Sequence, residues 1–336
     1  MVIFYMFNQE QWNQLLAQDE RGLQERIKTA CKRHTSIDLK GAKLQLIHIQ
    51  MISEILQENK TLTSLNLDSN NIDSEGAESI AKALIKNKTL TTLHLGLNNI
   101  GDKGAKSIIQ ALIENQALIS LDMSGNHIGC DGISNITDLL ENNKTITTLD
   151  LYCNNIGVQG AKRIAQALEN NKTLTSLNIG LNNIGDEGAK NIAQGLENNK
   201  NLTSLNINYN NIGNKGAKSI AHALEKNYTL TFLDLYFNPI DDEGIKSIAQ
   251  AIAENSSLTF LNLGANNIHD EGAESIIQAL KTNRTLTALK LDSNHIGYEE
   301  QAKIEQALER NIHVVSFFHY KGFIGVLKKM LSKFGI

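Results

Sequence analysis

Residues 62–72 read LTSLNLDSNNI and residues 174–184 read LTSLNIGLNNI, and the frame they share, LxxLxLxxNxI, occurs nine times. Its first position falls at Leu62, Leu90, Leu118, Ile146, Leu174, Leu202, Leu230, Leu258 and Leu286, 28 residues apart and without an insertion. Its ninth position is Asn in every copy: Asn70, Asn98, Asn126, Asn154, Asn182, Asn210, Asn238, Asn266 and Asn294. Inside the frame apolar and polar residues alternate with period two, which specifies a short strand. Downstream of it, segments such as Gly188 to Asn198 carry Ala189, Ile192, Ala193 and Leu196 on one helical stripe. Each unit is therefore strand, turn, helix, turn, and a constant crossover between successive strands makes the sheet parallel.

Stacked strands lie about 4.8 Å apart and packed helices about 8 to 10 Å apart, so such an array must bend with its strands inside the arc. Asn70 and its equivalents follow the strand, where a short amide can bond the turning backbone and stack on the next unit's copy. A second invariant column, from Asn87 and Asn115 to Asn283 and Asn311, closes each helix and is expected to take the left-handed C-cap conformation. Gly76 and Ala77, repeated as Gly104 and Ala105 and as Gly160 and Ala161, are expected to let each helix start close to the sheet.

LxxLxLxxNxI followed by a Gly-Ala helix start in a 28-residue period resembles the ribonuclease-inhibitor-like class of leucine-rich-repeat proteins, over roughly Ile37 to Asn311. The uniformity of the units is also similar to leucine-rich-repeat proteins that intracellular bacteria deliver into host cells. The resemblance implies an α/β fold, a right-handed solenoid or horseshoe with a parallel concave sheet and convex helices. Family members with strict two-unit alternation and many cysteines differ from this chain, so inhibition of a ribonuclease is not implied. The expected organisation is an N-terminal helical cap (1–33), a degenerate first repeat (34–61), nine repeats (62–311) and a C-terminal cap with a basic amphipathic helix (312–336).

The 32 Lys and Arg stand against 36 Asp and Glu, which gives no case for nucleic-acid binding. Asparagine is the excess: 39 residues, more than the lysines and arginines together, and the two invariant columns absorb much of it. Cys31, Cys130 and Cys153 cannot form a disulfide framework, which fits a reducing compartment. Asn-x-Thr/Ser sequons recur at one repeat position, as at Asn59, Asn87 and Asn143, and a secreted protein would carry a glycan on nearly every unit. A cytoplasmic setting, bacterial cytosol or host cytosol after delivery, is the simpler expectation. The apolar start Val2 to Phe7 is too short for a signal peptide or a membrane span.

An open stack needs atypical ends. Trp12, Leu15, Leu16, Leu23 and Ile27 suggest helices over the first end, while Val314 and Phe317 continue the strand pattern at the last before it decays. Gly322 to Ile336 places Phe323, Leu327, Met330, Leu331 and Phe334 at helical spacing with Lys328, Lys329 and Lys333 between them. A hydrophobic cap, a membrane-surface helix and a partner or export signal all fit that pattern.

Positions three, five and seven of the frame face the concave side and position eight lies on its rim. Of the eight Tyr and Phe between Leu62 and Asn311, six fall in these columns: Tyr152, Tyr209, Phe232, Tyr236, Phe237 and Phe260. Chance would scatter them, and aromatics gathered on one wall are the composition of a protein-binding hot spot. Stacking of Phe232 on Phe260 to stabilise neighbouring strands is the alternative for that pair. The same columns carry Asp68, Asp122, Asp150, Asp234 and Asp292 against Lys290, with His94 beside them. Asp122 and Asp150 sit on adjacent strands, a costly like-charge pair for which a Lys or Arg of a partner is the preferred relief, ahead of solvation or a metal ion.

The expected partner is thus a folded protein with a basic, partly apolar surface, bound by His94, Asp122, Asp150, Tyr152, Tyr209, Phe232, Asp234, Tyr236, Phe237 and Phe260. Regulation by occlusion is the leading reading, and an adaptor or membrane tether acting through the C-terminal segment the other. The free chain is expected to be monomeric, without cofactor, metal or nucleic acid. HExxH, GxSxG, CxxC and glycine-rich phosphate loops do not occur, and Cys153 lies two strands from His94, too far for a nucleophile and its base.

Overall fold

The computed structural model describes residues 20–311. The expectations for Trp12, Leu15 and Leu16 and for residues 312–336 lie outside those residues. Ten strands are formed: β1 (Ser36–Asp38), β2 (Ser64–Asn66), β3 (Thr92–His94), β4 (Ser120–Asp122), β5 (Thr148–Asp150), β6 (Ser176–Asn178), β7 (Ser204–Asn206), β8 (Phe232–Asp234), β9 (Phe260–Asn262) and β10 (Ala288–Lys290). They make one sheet in chain order, every pair parallel. Its register is the repeat itself, with Leu65 opposite Leu93 and Leu261 opposite Leu289.

Each strand is three residues long, with a buried Leu or Ile between two partly exposed neighbours except in β10. A helix crosses back after every strand, all on the other side of the sheet's buried leucines. Ala77, Ile80, Ala81 and Leu84 of the helix Ser74–Lys86 are typical of the stripe these helices bury. The core is the seam between Leu65- and Leu67-type residues and that stripe, continuous from Ile27 and Cys31 of the helix Glu20–Arg33 to Ile304 and Ala307 of the helix 298–311. One helix, Ile136–Asn142, has only seven residues. Its expected first turn contains Ile133, Ser134 and Asn135, whose side chains favour turns or lose rotamer freedom in a helix.

The asparagine columns hold the stack laterally. Asn98 Oδ1 accepts from the backbone N–H groups of Asn70 and Ile72, both at 2.9 Å, and its Nδ2 donates to the carbonyls of Leu67, Leu95 and Gly96. The helix-end column differs from expectation: Asn87 is extended, with φ −72° and ψ 132°, not left-handed. Its amide works in two directions instead. Oδ1 accepts from Thr89 and Leu90 N–H, and Nδ2 donates to the carbonyls of Leu56 and Asn59 in the preceding unit. The requirement is for a side chain that donates and accepts at once, which Asn meets and Asp or Gly does not. These sequon asparagines are buried, so the fold needs them unmodified.

The Gly-Ala helix starts also act differently than expected. A Cβ on Gly104 would lie 2.7 Å from Ile100 Cγ2 and 2.8 Å from Ala77 Cβ, so the missing side chain admits the neighbouring helix and the chain's own turn rather than the sheet. Several helix starts are capped from the unit before: Asp186 Oδ1 accepts from Gly213 and Gly216 N–H, and Asp242 Oδ1 from His269 and Gly272 N–H.

Candidate functional site

The scaffold leaves its variable side chains on the exposed sheet face and on the turn that follows each strand. Position five turns out to be constrained as well as exposed. Asn66, Asp122, Asp150, Asn178, Asn206, Asp234 and Asn262 each accept, through Oδ1, from the N–H two residues on, at 2.8–3.1 Å. This local bond explains why the column is almost entirely Asn or Asp. Only the choice between them, neutral or charged, is free. His94 cannot make the bond, and Asp68 Oδ1 from the preceding unit takes the Gly96 N–H at 2.8 Å.

Asp122 and Asp150 do lie opposite one another in the register. Part of the relief that the sequence reading expects from a partner's cation comes from within the chain. Asp122 Oδ2 faces His94 Nδ1 at 3.8 Å, and Asp150 Oδ2 accepts from Asn178 Nδ2 at 3.0 Å. Burial pushes the Asp122 carboxyl up, but His94 and the Ser124 N–H outweigh it and hold the group below its ordinary range. Asp150 moves the other way, raised by burial and by the charge of Asp122 against the bond from Tyr152. His94 is raised, chiefly by Asp122, with burial opposing. Asp68 is raised, first by burial. Asp68, His94 and Asp122 offer one ligand atom each within 4.8 Å of one another, the one such group among the described residues. Lys40 Nζ, 3.7 Å from Asp68 Oδ2, already gives that carboxylate a cationic neighbour, and His94 gives Asp122 one when protonated.

The aromatic residues separate into groups. Tyr209 and Phe237 stack with centroids 4.5 Å apart, and Tyr236 joins them 5.5 Å from Tyr209. Asp234, its carboxyl raised by burial, accepts from the Tyr236 backbone beside this cluster. Phe232 and Phe260 stack face to face at 4.5 Å and 7°, with Lys290 Nζ 5.9 Å from the Phe260 centroid. That pair therefore does brace neighbouring strands. Tyr152, two strands from Tyr209, leans over Gly180: a Cβ there would meet Tyr152 Cδ2 at 2.9 Å, and one on Gly264 would meet Tyr236 Cδ2 at the same distance. Gly180 and Gly264 thus make room for the ring of the preceding unit and for Asn208 and Asp292 of the following one, a role that the sequence alone does not show.

Position eight is left-handed in all nine repeats, with φ between 51° and 61°, although most copies are not glycine. Its side chains stand out from the turn, Leu97 60% exposed, Phe237 54% and Leu181 40%. They line a groove of about 720 Å³ with Cys153 and Tyr209, opposite turn asparagines such as Asn155 and Asn183. Leu97 and Leu181 were passed over in the sequence because they are aliphatic. The available signal was their size at a turn position where Ser, Gly or Ala serves elsewhere.

This geometry is that of a repeat scaffold presenting one continuous side-chain surface. A profile described as Leucine Rich repeat matches nine segments, from 58–81 to 282–299, and the chain belongs to the leucine-rich-repeat family. Proteins of this fold type are characteristically non-catalytic interaction modules. In keeping with that, His94 and Cys153 belong to units two strands apart. Among solved structures, the chain is similar to one in the Rad7 and Elc1 complex of yeast, with TM-score 0.52 and 16% identity over 82% of this chain and 75% of that one. An internalin from Listeria monocytogenes gives TM-score 0.43 and 20% identity, over 88% and 92%. Leiomodin-1 Actin-Binding Site 2 gives 0.42 and 23%, over 48% and 95%. At these identities the likeness is one of fold, carried by the yeast chain. No curated protein matches the sequence. No helix among the described residues is long and apolar enough to cross a membrane.

Proposed function

We propose that this chain binds a folded protein with a basic, partly apolar surface on the concave side of its sheet and regulates that partner by covering it. The observation that carries the reading is the contact cluster of Tyr209, Tyr236 and Phe237 beside Asp234, in a chain whose aromatics are otherwise scarce. Such rings bury large areas at low entropic cost, and a carboxylate at their edge selects a cation. Tyr152, Asp150, Asp122 and His94 extend the same face toward β3, and Phe232 and Phe260 extend it toward β9. Within the family, the 28-residue unit with its Gly-Ala helix start supports the ribonuclease-inhibitor-like variety, and the near-identical units support a delivered bacterial effector acting in host cytosol.

The test is quantitative capture from cytosol followed by calorimetry on the captured partner. Replacing Tyr236 and Phe237 by Ala should weaken binding by about 2–4 kcal/mol. Unchanged affinity in a folded variant would move the site off this face.

A further inference from the structure

The groove along the turns asks why a scaffold would put Leu97, Cys153, Leu181, Tyr209 and Phe237 where the backbone is left-handed. That conformation strains a bulky L-residue and costs glycine nothing. Ser69, Gly125, Ala265 and Ser293 hold the same φ with small side chains, so the solenoid does not require apolar bulk there. Leu97, Leu181 and Phe237 moreover remain largely exposed. Strain and exposed apolar area at one column point to something outside the chain.

Resting on the protein-binding reading above, we infer that this groove receives an amphipathic α-helix of the partner, with its apolar stripe on the Leu97–Phe237 ridge and a basic edge over the carboxylates of the sheet face. The backbone of the ridge decides for a helix. The N–H groups of Leu97, Cys153, Leu181, Tyr209 and Phe237 already donate to carbonyls of the following units, Ser124, Gly180, Asn208, Tyr236 and Gly264. An extended peptide, which gains affinity from main-chain bonds, would find no free edge to pair with here, whereas a helix arrives with its own bonds made.

Spacing agrees. Units recur about every 4.8 Å and helical turns every 5.4 Å, so successive turns meet successive units, while same-side residues of a strand recur about every 6.8 Å and fall out of step. The ridge from Leu97 to Phe237 spans five unit steps, about 24 Å, or about 16 helical residues. Charge fixes the edge: the carboxylates of Asp122, Asp150 and Asp234 lie along the adjoining sheet face, and the basic side chains there, Lys40 and His94 toward one end and Lys290 toward the other, flank them.

Fluorescence anisotropy with the full chain tests this, using a labelled peptide of about 18 residues with Leu at three-four helical spacing and Lys on one adjoining edge. Saturable binding is expected, weakened about tenfold or more when two prolines interrupt the peptide. Leu97→Asn with Leu181→Asn, which retains side chains tolerant of the left-handed turn, should weaken it to the same degree. Absence of binding, or equal binding of the proline peptide, would overturn the proposal. Phe232→Ala with Phe260→Ala separates the two readings. Loss there with the Leu variants unaffected rejects the groove and leaves the sheet-face reading; loss in the Leu variants alone keeps the groove and rejects those rings. Tighter binding after Lys328→Glu, Lys329→Glu and Lys333→Glu would identify residues 322–336 of this chain as the occupant and overturn an external helix.

Discussion

The sheet face over β2 to β5 and the face over β7 to β9 share one backbone and differ in almost every exposed side chain. The first is a charged row in which Asp68 pairs with Lys40, Asp122 with His94, and Asp150 with the Asn178 amide, each carboxylate also accepting from a turn N–H. The second holds contacting rings, Tyr209 with Tyr236 and Phe237, and Phe232 with Phe260. Carboxylates already bonded in this way can steer a basic partner but gain little on contact. Rings such as Phe237, more than half exposed, have most of their contact area still to spend. On the proposed function, the second region supplies most of the partner's contact energy, while stability rests on features both regions share.

The largest expected effect tests that sharing. Asn98→Ala, in the first region, and Asn238→Ala, in the second, each remove an amide that accepts two backbone N–H groups and donates to three carbonyls. Each should cost about 3–5 kcal/mol in urea unfolding, and by similar amounts, because buried groups lose partners in both. A difference of several kcal/mol would break the premise of one scaffold.

Binding should divide the regions. Tyr236→Ala with Phe237→Ala should cost about 2–4 kcal/mol of affinity, and His94→Gln with Asp122→Asn less than about 1 kcal/mol. Calorimetry against one partner compares the two directly.

A smaller contrast is in pH. His94 is raised by its partner, so its contribution is full below the ordinary imidazole range and is lost as pH rises through its raised value. Asp122 is lowered, so its contribution is present above the ordinary carboxylate range and is lost as pH falls through its lowered value. The pair is strongest between about pH 4 and 6.5, and after solvent screening it is worth well under about 1 kcal/mol. His94→Gln should remove the fall in unfolding stability that His94 causes as pH rises above the ordinary imidazole range. Asp234, raised by burial, has the opposite carboxylate sign: its contribution belongs to the protonated form and is lost as pH rises through the raised value. Asp234→Asn keeps the acceptor for Tyr236 N–H, and should slightly raise stability at neutral pH while lowering affinity for a basic partner. The smallest effect is Leu97→Asn alone, which should leave stability within about 0.5 kcal/mol, since relief of left-handed strain offsets the little packing lost.

Much of this was legible in the sequence because the repeat spacing is also the contact spacing: Leu65 meets Leu93 and Asn70 meets Asn98 at the same offset. The periodic columns therefore named the core, the ladders and the exposed face. What escaped depended on how individual side chains lean and which atom accepts. That Asp122 and Asp150 are relieved by His94 and Asn178, and that Tyr152 and Tyr236 fold over Gly180 and Gly264, follows from rotamers, which no column records. Asn and a left-handed C-cap often coincide, but here the helix-end asparagines are extended and the left-handed residues lie in the turns after the strands, at position eight of every repeat.

On the proposed function, the ring cluster that follows β7 and β8, with Asp234, carries most of the partner's affinity. Quantitative mass spectrometry of proteins captured by the intact chain and by a folded Tyr236→Ala, Phe237→Ala, Asp234→Asn variant at equal loading tests this most directly. A basic protein retained by the intact chain should be depleted about tenfold or more from the variant. Equal retention by both would contradict it.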